Sequence, residues 1–181
     1  MGDNLTIDAD PPWHYDGFAN NPKPGTKGVK PLPYGSMTVE EISDLPVAAM
    51  AAKDCRLFMW TTNRYLHDAY HVLDAWGFAF AQILVWHKTG NPSPFGGSVA
   101  PIHAEFILVG RKGKPELLER MKGSVVSANV ADHSAKPECF LDFIETISPA
   151  PRVELFARRA RFGWDYWGNE SLGTARMEAA A

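Results

Sequence analysis

The residues with most to offer chemically stand near the start of the chain: Asp10, Pro11, Pro12 and Trp13, with Tyr15 just beyond. Two successive prolines fix the backbone, so that the Asp10 carboxylate and a main-chain carbonyl can converge on one amine. An amine conjugated with an aromatic ring is a poor nucleophile, because its lone pair is shared with the ring. Two acceptors on its hydrogens favour a pyramidal nitrogen and stabilise the positive charge that grows as it attacks a carbon. Trp13 or Tyr15 would offer a face on which a flat base stacks. The same tetrapeptide equally suits a turn that ends a strand, with Trp13 packed in the core.

The elements that must position these residues follow from the apolar pattern. A short strand over 5–9 stops at Asp10, because the prolines cannot donate to a ladder. Thr38 and Glu41 form a capping box, with Met37 and Ile42 as its staple, and the helix they start ends before Pro46. A buried strand is expected over 55–62, around Leu57, Phe58, Met59 and Trp60. A helix capped by Asn63 follows, with Leu66, Ala69, Tyr70 and Leu73 on one face and Gly77 at its end. Further strands are expected over 80–86 and 105–110. A polar link then leads to a helix from Lys136-Pro137, with Phe140, Phe143, Ile144 and Ile147 inward and Pro149 closing it. A strand within 152–158 and an aromatic segment over 163–170 follow, and 171–181 reads as a frayed tail. The Gly- and Pro-rich stretches 17–35 and 88–101 read as loops beside a site.

Continuous apolar strands alternating with helices indicate an α/β protein with a mostly parallel sheet covered on both faces, one domain over 1–181. Ligands gather at the carboxyl ends of such strands, where the pattern places Asp10, Thr61 to Asn63, Lys88 and Arg158. Composition agrees with a globular chain, 45% hydrophobic and 22% charged. No apolar run approaches the ~20 residues that span a bilayer, and the acidic N-terminus is unlike a signal peptide. A cytoplasmic protein with no membrane partner is the expectation. Cys55 and Cys139 lie far apart in apolar surroundings and read as buried thiols. His67 and His71 have helical spacing but no third ligand, so no metal is expected. The net charge of -3 argues against a protein that coats duplexes through many phosphate contacts. Arg111, Lys112, Lys114, Arg158, Arg159 and Arg161 suit a local basic rim or a solvated surface equally well.

The ordered set of motifs resembles the MT-A70 family of adenine N6 methyltransferases. Its hallmark is DPPW at Asp10–Trp13, and the likeness runs on through PYGSM (33–37), LFMWTTN (57–63), WGF (76–78) and LVWHK (84–88). It continues with HAEFILVG (103–110), HSAKPE (133–138), VELFAR (153–158) and GWDYWGNE (163–170). The resemblance implies a three-layer Rossmann-like methyltransferase fold with permuted motif order, and S-adenosylmethionine as cofactor. It implies that Asp10 and the Pro11 carbonyl hold the target amine within the Asp10-Pro11-Pro12-Trp13 segment, that Tyr34 lies in the catalytic region, and that Asp10 also borders the cofactor. Lys136 would contact the cofactor's carboxylate, Glu154 and Arg158 its ribose, and Asn169 and Glu170 its adenine. Side-chain chemistry agrees: an ammonium pairs with a carboxylate, and a carboxylate accepts from two vicinal hydroxyls. Without the family, Lys136 would pass for ordinary surface and Asn169 for a turn.

The substrate side is expected to draw on Tyr15, Trp60, Asn63, Lys88, His103 and Glu105, with His103 open between site and structure. Departures from the family bear on this. Phe95-Gly96-Gly97-Ser98-Val99-Ala100 replaces a Gly-Tyr/His-Trp segment that would face a flipped base, whereas the lack of a Gly-rich loop after VELFAR is what the family's permuted order implies. Longer relatives carry residues upstream of DPPW that help hold the cofactor, so a modest cofactor affinity, or a homodimer or partner subunit completing the site, is expected. The resemblance points to DNA as substrate, with RNA, cytosine N4 methylation and a non-catalytic nucleic-acid-binding subunit as alternatives.

Overall fold

Alternation within β2 (Ala51–Thr61) shows how the sheet is covered. Leu57 and Met59 enter one core and Phe58 and Trp60 another, so the unbroken apolar run has both faces buried. In the computed structural model, which describes residues 2–15, 35–90, 99–130 and 136–168, the first core lies under α1 (Val39–Ser43), α2 (Val47–Met50) and α3 (Leu66–Ala75). Ile42, Val47, Ala69, Val72 and Leu73 fill it from the helix side. The second core lies under α4 (Glu138–Ile147), through Phe140, Ile144 and Ile147. This is the three-layer arrangement the pattern implied.

The remaining strands are β1 (Asn4–Ala9), β3 (Ala79–Thr89), β4 (Ala104–Lys112), β5 (Val125–Asn129), β6 (Arg152–Leu155) and β7 (Asp165–Trp167). They form one seven-stranded sheet in the order β5-β3-β4-β2-β1-β6-β7. The pairs β1–β2, β1–β6, β6–β7 and β3–β5 are parallel, whereas β4 runs antiparallel to both β2 and β3. Six strands therefore share one direction and β4 alone opposes them. The strand that follows β3 in the chain, β4, pairs antiparallel with it, and the start of β4 lands at the same edge as the carboxyl ends of β2 and β3.

Local signals set several elements as expected. Thr38 and Glu41 make the reciprocal capping box of α1, at 3.2 Å and 2.8 Å. Gly77 follows α3 with φ +77°, and Pro149 lies just beyond α4. Three points differ. Tyr65, not Asn63, caps α3, and it does so without a side-chain hydrogen bond. The sequence did not signal α2, β5 or β7: α2 is a single turn, while β5 and β7 are short edge strands whose residues are half exposed. Phe143 is only partly buried on α4. Residue 16 to residue 34, residues 91–98 and the tail expected over 171–181 lie outside the described residues.

Where a Gly-rich turn was missing after β6, Phe156 itself adopts φ +64°. A bulky residue in that region is strained by roughly 1–2 kcal/mol. Its ring is held edge-on by Trp167, with centroids 5.4 Å apart.

Candidate active site

Asp10 leaves β1 at the middle of the sheet, where strand order reverses between β1 and β6, the usual place for a ligand crevice in an open α/β sheet. The Asp10 N–H donates to the Leu155 carbonyl at 3.5 Å, tying the turn to the end of β6. Trp13 N–H donates to the Pro11 carbonyl at 2.9 Å, and Met37 N–H to that of Pro12 at 2.8 Å. A carbonyl has two lone pairs, so Pro11 keeps one acceptor position.

Trp13 fixes this turn from inside. Its ring is 4% exposed and stacks on Tyr65 at 5.2 Å, and its Nε1 donates to the Trp60 carbonyl at 3.2 Å. A ring so enclosed has no face for a base, so the core reading holds for Trp13. Tyr15 is half-buried, edge-on to Tyr65, with its hydroxyl 2.8 Å from the Thr62 hydroxyl.

Charge on the α4 side of the crevice alternates in a chain. Lys88 pairs with Glu105, Glu105 with Lys136 at 2.7 Å, and Lys136 with Asp10 at 3.2 Å. Asp10 and Lys136 keep 25% and 23% of their side-chain surface, enough for a ligand to reach them. Each ammonium also lies over an indole, Lys88 over Trp86 at 4.8 Å and Lys136 over Trp60 at 4.9 Å. Burial pushes the Glu105 carboxyl up, but the ammonium groups of Lys136 and Lys88 outweigh it and hold the group below its ordinary value. Burial likewise disfavours the Lys136 ammonium, and the Asp10 and Glu105 carboxylates reverse this, leaving it firmly charged. Among the described residues two of its three N–H donors are engaged, by Glu105 and Asp10.

Behind this chain lie two acids in a different state. Glu154 stands opposite Asp8 in the β1–β6 ladder. Burial, helped by the Asp10 charge, lifts the Glu154 carboxyl to about 7 against the pull of Arg159 and Arg161. It accepts no hydrogen bond from a described residue.

A residue-by-residue match of the chain to the MT-A70 profile covers residues 5–170. The chain belongs to the MT-A70 family. It is 34% identical to the Type II methyltransferase M.MunI of a Mycoplasma species, over 91% of this chain and 76% of that protein. It is 31% identical to a putative N(6)-adenosine-methyltransferase MT-A70-like protein of Medicago truncatula, over 98% of this chain and 28% of that one. Against the human N(6)-adenosine-methyltransferase catalytic subunit METTL3 the identity is 29%, over 96% of this chain and 29% of the subunit. The chain thus spans three quarters of the first relative and less than a third of the other two.

In this MT-A70 chain the structure gathers Asp10, Glu105, Lys136, Lys88 and Trp60 into one cluster, with Glu154 adjoining on β6. Arg158 follows two residues after the Phe156 turn and is half-buried. Asn63 and His103 line an open cleft of about 350 Å³ with Ile102, Ala104 and Phe106 at the start of β4, and the His103 carbonyl accepts from the Lys88 N–H at 2.7 Å, so this cleft adjoins the cluster. Tyr34, Asn169 and Glu170 lie outside the described residues. Two participants escaped sequence reasoning. Trp86, the indole under Lys88, looked like ordinary strand filling. Asp8, a carboxyl amid buried β1 residues, was legible as an anomaly, since buried carboxyls need partners.

Among the described residues no group of three metal-ligating side chains occurs and no helix is long and apolar enough to cross a membrane.

Proposed function

We propose that this protein transfers a methyl group from S-adenosylmethionine to the N6 amine of adenine in DNA by direct in-line displacement. The observation that carries the reading is the placement of Asp10: at the strand-order reversal, partly exposed, and bridged to Lys136 beside the end of β6.

The residues present fit the cofactor. Glu154 is a half-buried carboxyl accepting no hydrogen bond from a described residue, and it offers two oxygens to vicinal hydroxyls. Lys136 engages two of its three donors among the described residues and offers the third to a carboxylate, and Arg158 offers a multi-donor fork. When bound, the cofactor would supply the methyl carbon from a positively charged sulfur and leave as the neutral thioether. Asp10 accepts one hydrogen of the N6 amine and the free lone pair of the Pro11 carbonyl the other. They hold the nitrogen lone pair in line and stabilise the charge that develops on it. The proton released from N6 would pass to solvent, while Asp10 and the Pro11 carbonyl hold the amine. Lys136, paired with Asp10, holds the carboxylate in place before the amine arrives.

DNA is favoured by the 34% identity to the Type II methyltransferase M.MunI, of which the chain spans 76%. Adenosine in RNA is the second reading, favoured by 29% identity to METTL3 over 96% of this chain. The deciding experiment incubates the protein with labelled cofactor and matched DNA and RNA strands, followed by nucleoside mass analysis. N6-methyldeoxyadenosine is expected. Product in RNA alone reverses the choice of substrate, and N4-methylcytosine as the main product ends the adenine reading. Asp10→Ala is expected to bind cofactor nearly as well as wild type and to lose at least a hundredfold in turnover. Lost cofactor binding with normal turnover in the bound state contradicts the role given to Asp10.

A further inference from the structure

Asp8 occupies a position where packing alone asks for an apolar side chain. Ile7 and Ala9 on either side enter the core under α1 to α3, so Asp8 points to the α4 side, and it is only 4% exposed. Among the described residues no other acidic side chain is so deeply buried. Its ladder neighbours are Phe58 on β2 and Glu154 on β6. Burial, then the nearby Glu154 and Asp10 charges, push its carboxyl well above the ordinary carboxylate value. A carboxyl kept there costs stability, so something must be gained from it.

The gain lies in what it touches. Trp60 Nε1 donates to Asp8 at 3.2 Å. The same indole is met edge-on by Phe140 at 4.9 Å and Trp86 at 6.2 Å. On its face rests the Lys136 ammonium, which bridges Asp10 and Glu105. A Trp ring has two torsions. Neighbouring rings limit its tilt, and the single polar anchor at its Nε1 fixes which way the ring is turned.

We propose that Asp8 is a positioning residue for methyl transfer: its carboxyl fixes the Trp60 indole, and that ring holds the Lys136 ammonium between Asp10 and Glu105. The proposal rests on the function given above. It requires an acceptor at residue 8, not a charge, so an amide serves as well as an acid.

The test compares Asp8→Asn, Asp8→Leu and Trp60→Phe for turnover, for cofactor affinity, and for indole signals in protein labelled with 15N-tryptophan. The Trp60 signal is identified by its loss in Trp60→Phe. Asp8→Asn is expected to keep the Trp60 signal near its place and at least half the turnover. Asp8→Leu is expected to move that signal upfield and to lower kcat about tenfold, with the cofactor Kd within about threefold of wild type. Trp60→Phe keeps a ring but loses the anchor, and a similar fall in kcat is expected. It also serves should Asp8→Leu fail to fold. Wild-type kcat in folded Asp8→Leu or Trp60→Phe overturns the proposal, and so does equal damage from Asn and Leu. If the wild-type protein transfers no methyl group, the functional reading fails. The indole shift in Asp8→Leu then still reports whether Asp8 anchors Trp60.

Discussion

At the scale of single residues, the cluster holds two kinds of carboxyl side by side. Glu105 is bound by two ammonium groups and stays ionised, while Glu154, buried beside Asp10, is lifted to about 7. The two contribute to stability with opposite sign. The folded chain keeps the Glu154 proton to about pH 7, while the unfolded chain releases it near 4.5. Stability from this group is therefore greatest below pH 4.5 and declines as pH rises toward 7. Glu105, with a depressed value, adds stability at neutral pH that is lost as pH falls through its folded value. Melting temperatures of Glu154→Gln and wild type, followed from pH 5 to 8, are expected to diverge in favour of the variant as pH rises. Parallel curves would show that Glu154 carries no such shift. Removing the shared cation in Lys136→Met leaves Glu105 and Asp10 without it, and both stability and turnover are expected to fall. Adding Glu105→Gln should restore part of the lost stability but not the turnover. Strict additivity of the two changes by thermal unfolding would show that Lys136 and Glu105 are not coupled.

Elements, the next scale up, divide between those set by local chemistry and those set by their neighbours. The capping box makes α1 a helix of only five residues, too short to stand by propensity. Thr38→Ala is expected to cost about 1 kcal/mol in denaturant unfolding with no change in methyl transfer. The strand β7 depends on close approach. A Cβ on Gly168 would lie 2.4 Å from the Ala157 carbonyl oxygen and 2.8 Å from its nitrogen, where Ala157 N–H bonds the Trp167 carbonyl. Gly168→Ala should therefore push β7 from β6 and lower the melting temperature by several degrees, about what 1–2 kcal/mol gives for this size. An unchanged melting temperature would mean that the β6–β7 edge adds little to stability.

For the whole molecule, the decisive feature is one reversed strand in a parallel sheet. Because β4 opposes its neighbours, its first residues meet the carboxyl ends of β2 and β3, and Glu105 reaches Lys136 from 31 residues away. Ridge and rim charges then matter for nucleic acid. With a net charge of -3, the protein has little general field to gather phosphates. A plot of log affinity for duplex DNA against log salt is expected to be shallow, with a slope smaller in size than about 5, the value for about six phosphate contacts. A steeper slope would show a basic surface larger than the clusters at 111–114 and 158–161.

The sequence by itself determined what depends on near neighbours or on a fixed period: the proline turn after β1, the capping box of α1, the apolar strands, and the motifs that carry the family. The strand pattern put Asp10, Thr61 to Asn63, Lys88 and Arg158 at one edge of the sheet, and the family motifs pointed to Lys136 and Glu154. Only the tertiary structure decided which charges meet. Lys136, expected at a cofactor carboxylate, is held between Asp10 and Glu105. Trp13, which the sequence left open between a stacking face and the core, is enclosed against Tyr65, and the His103 carbonyl meets the Lys88 N–H. The reason is physical: a pair separated by tens of residues is fixed by strand direction and by the facing side of each ladder, and neither is written in a local pattern.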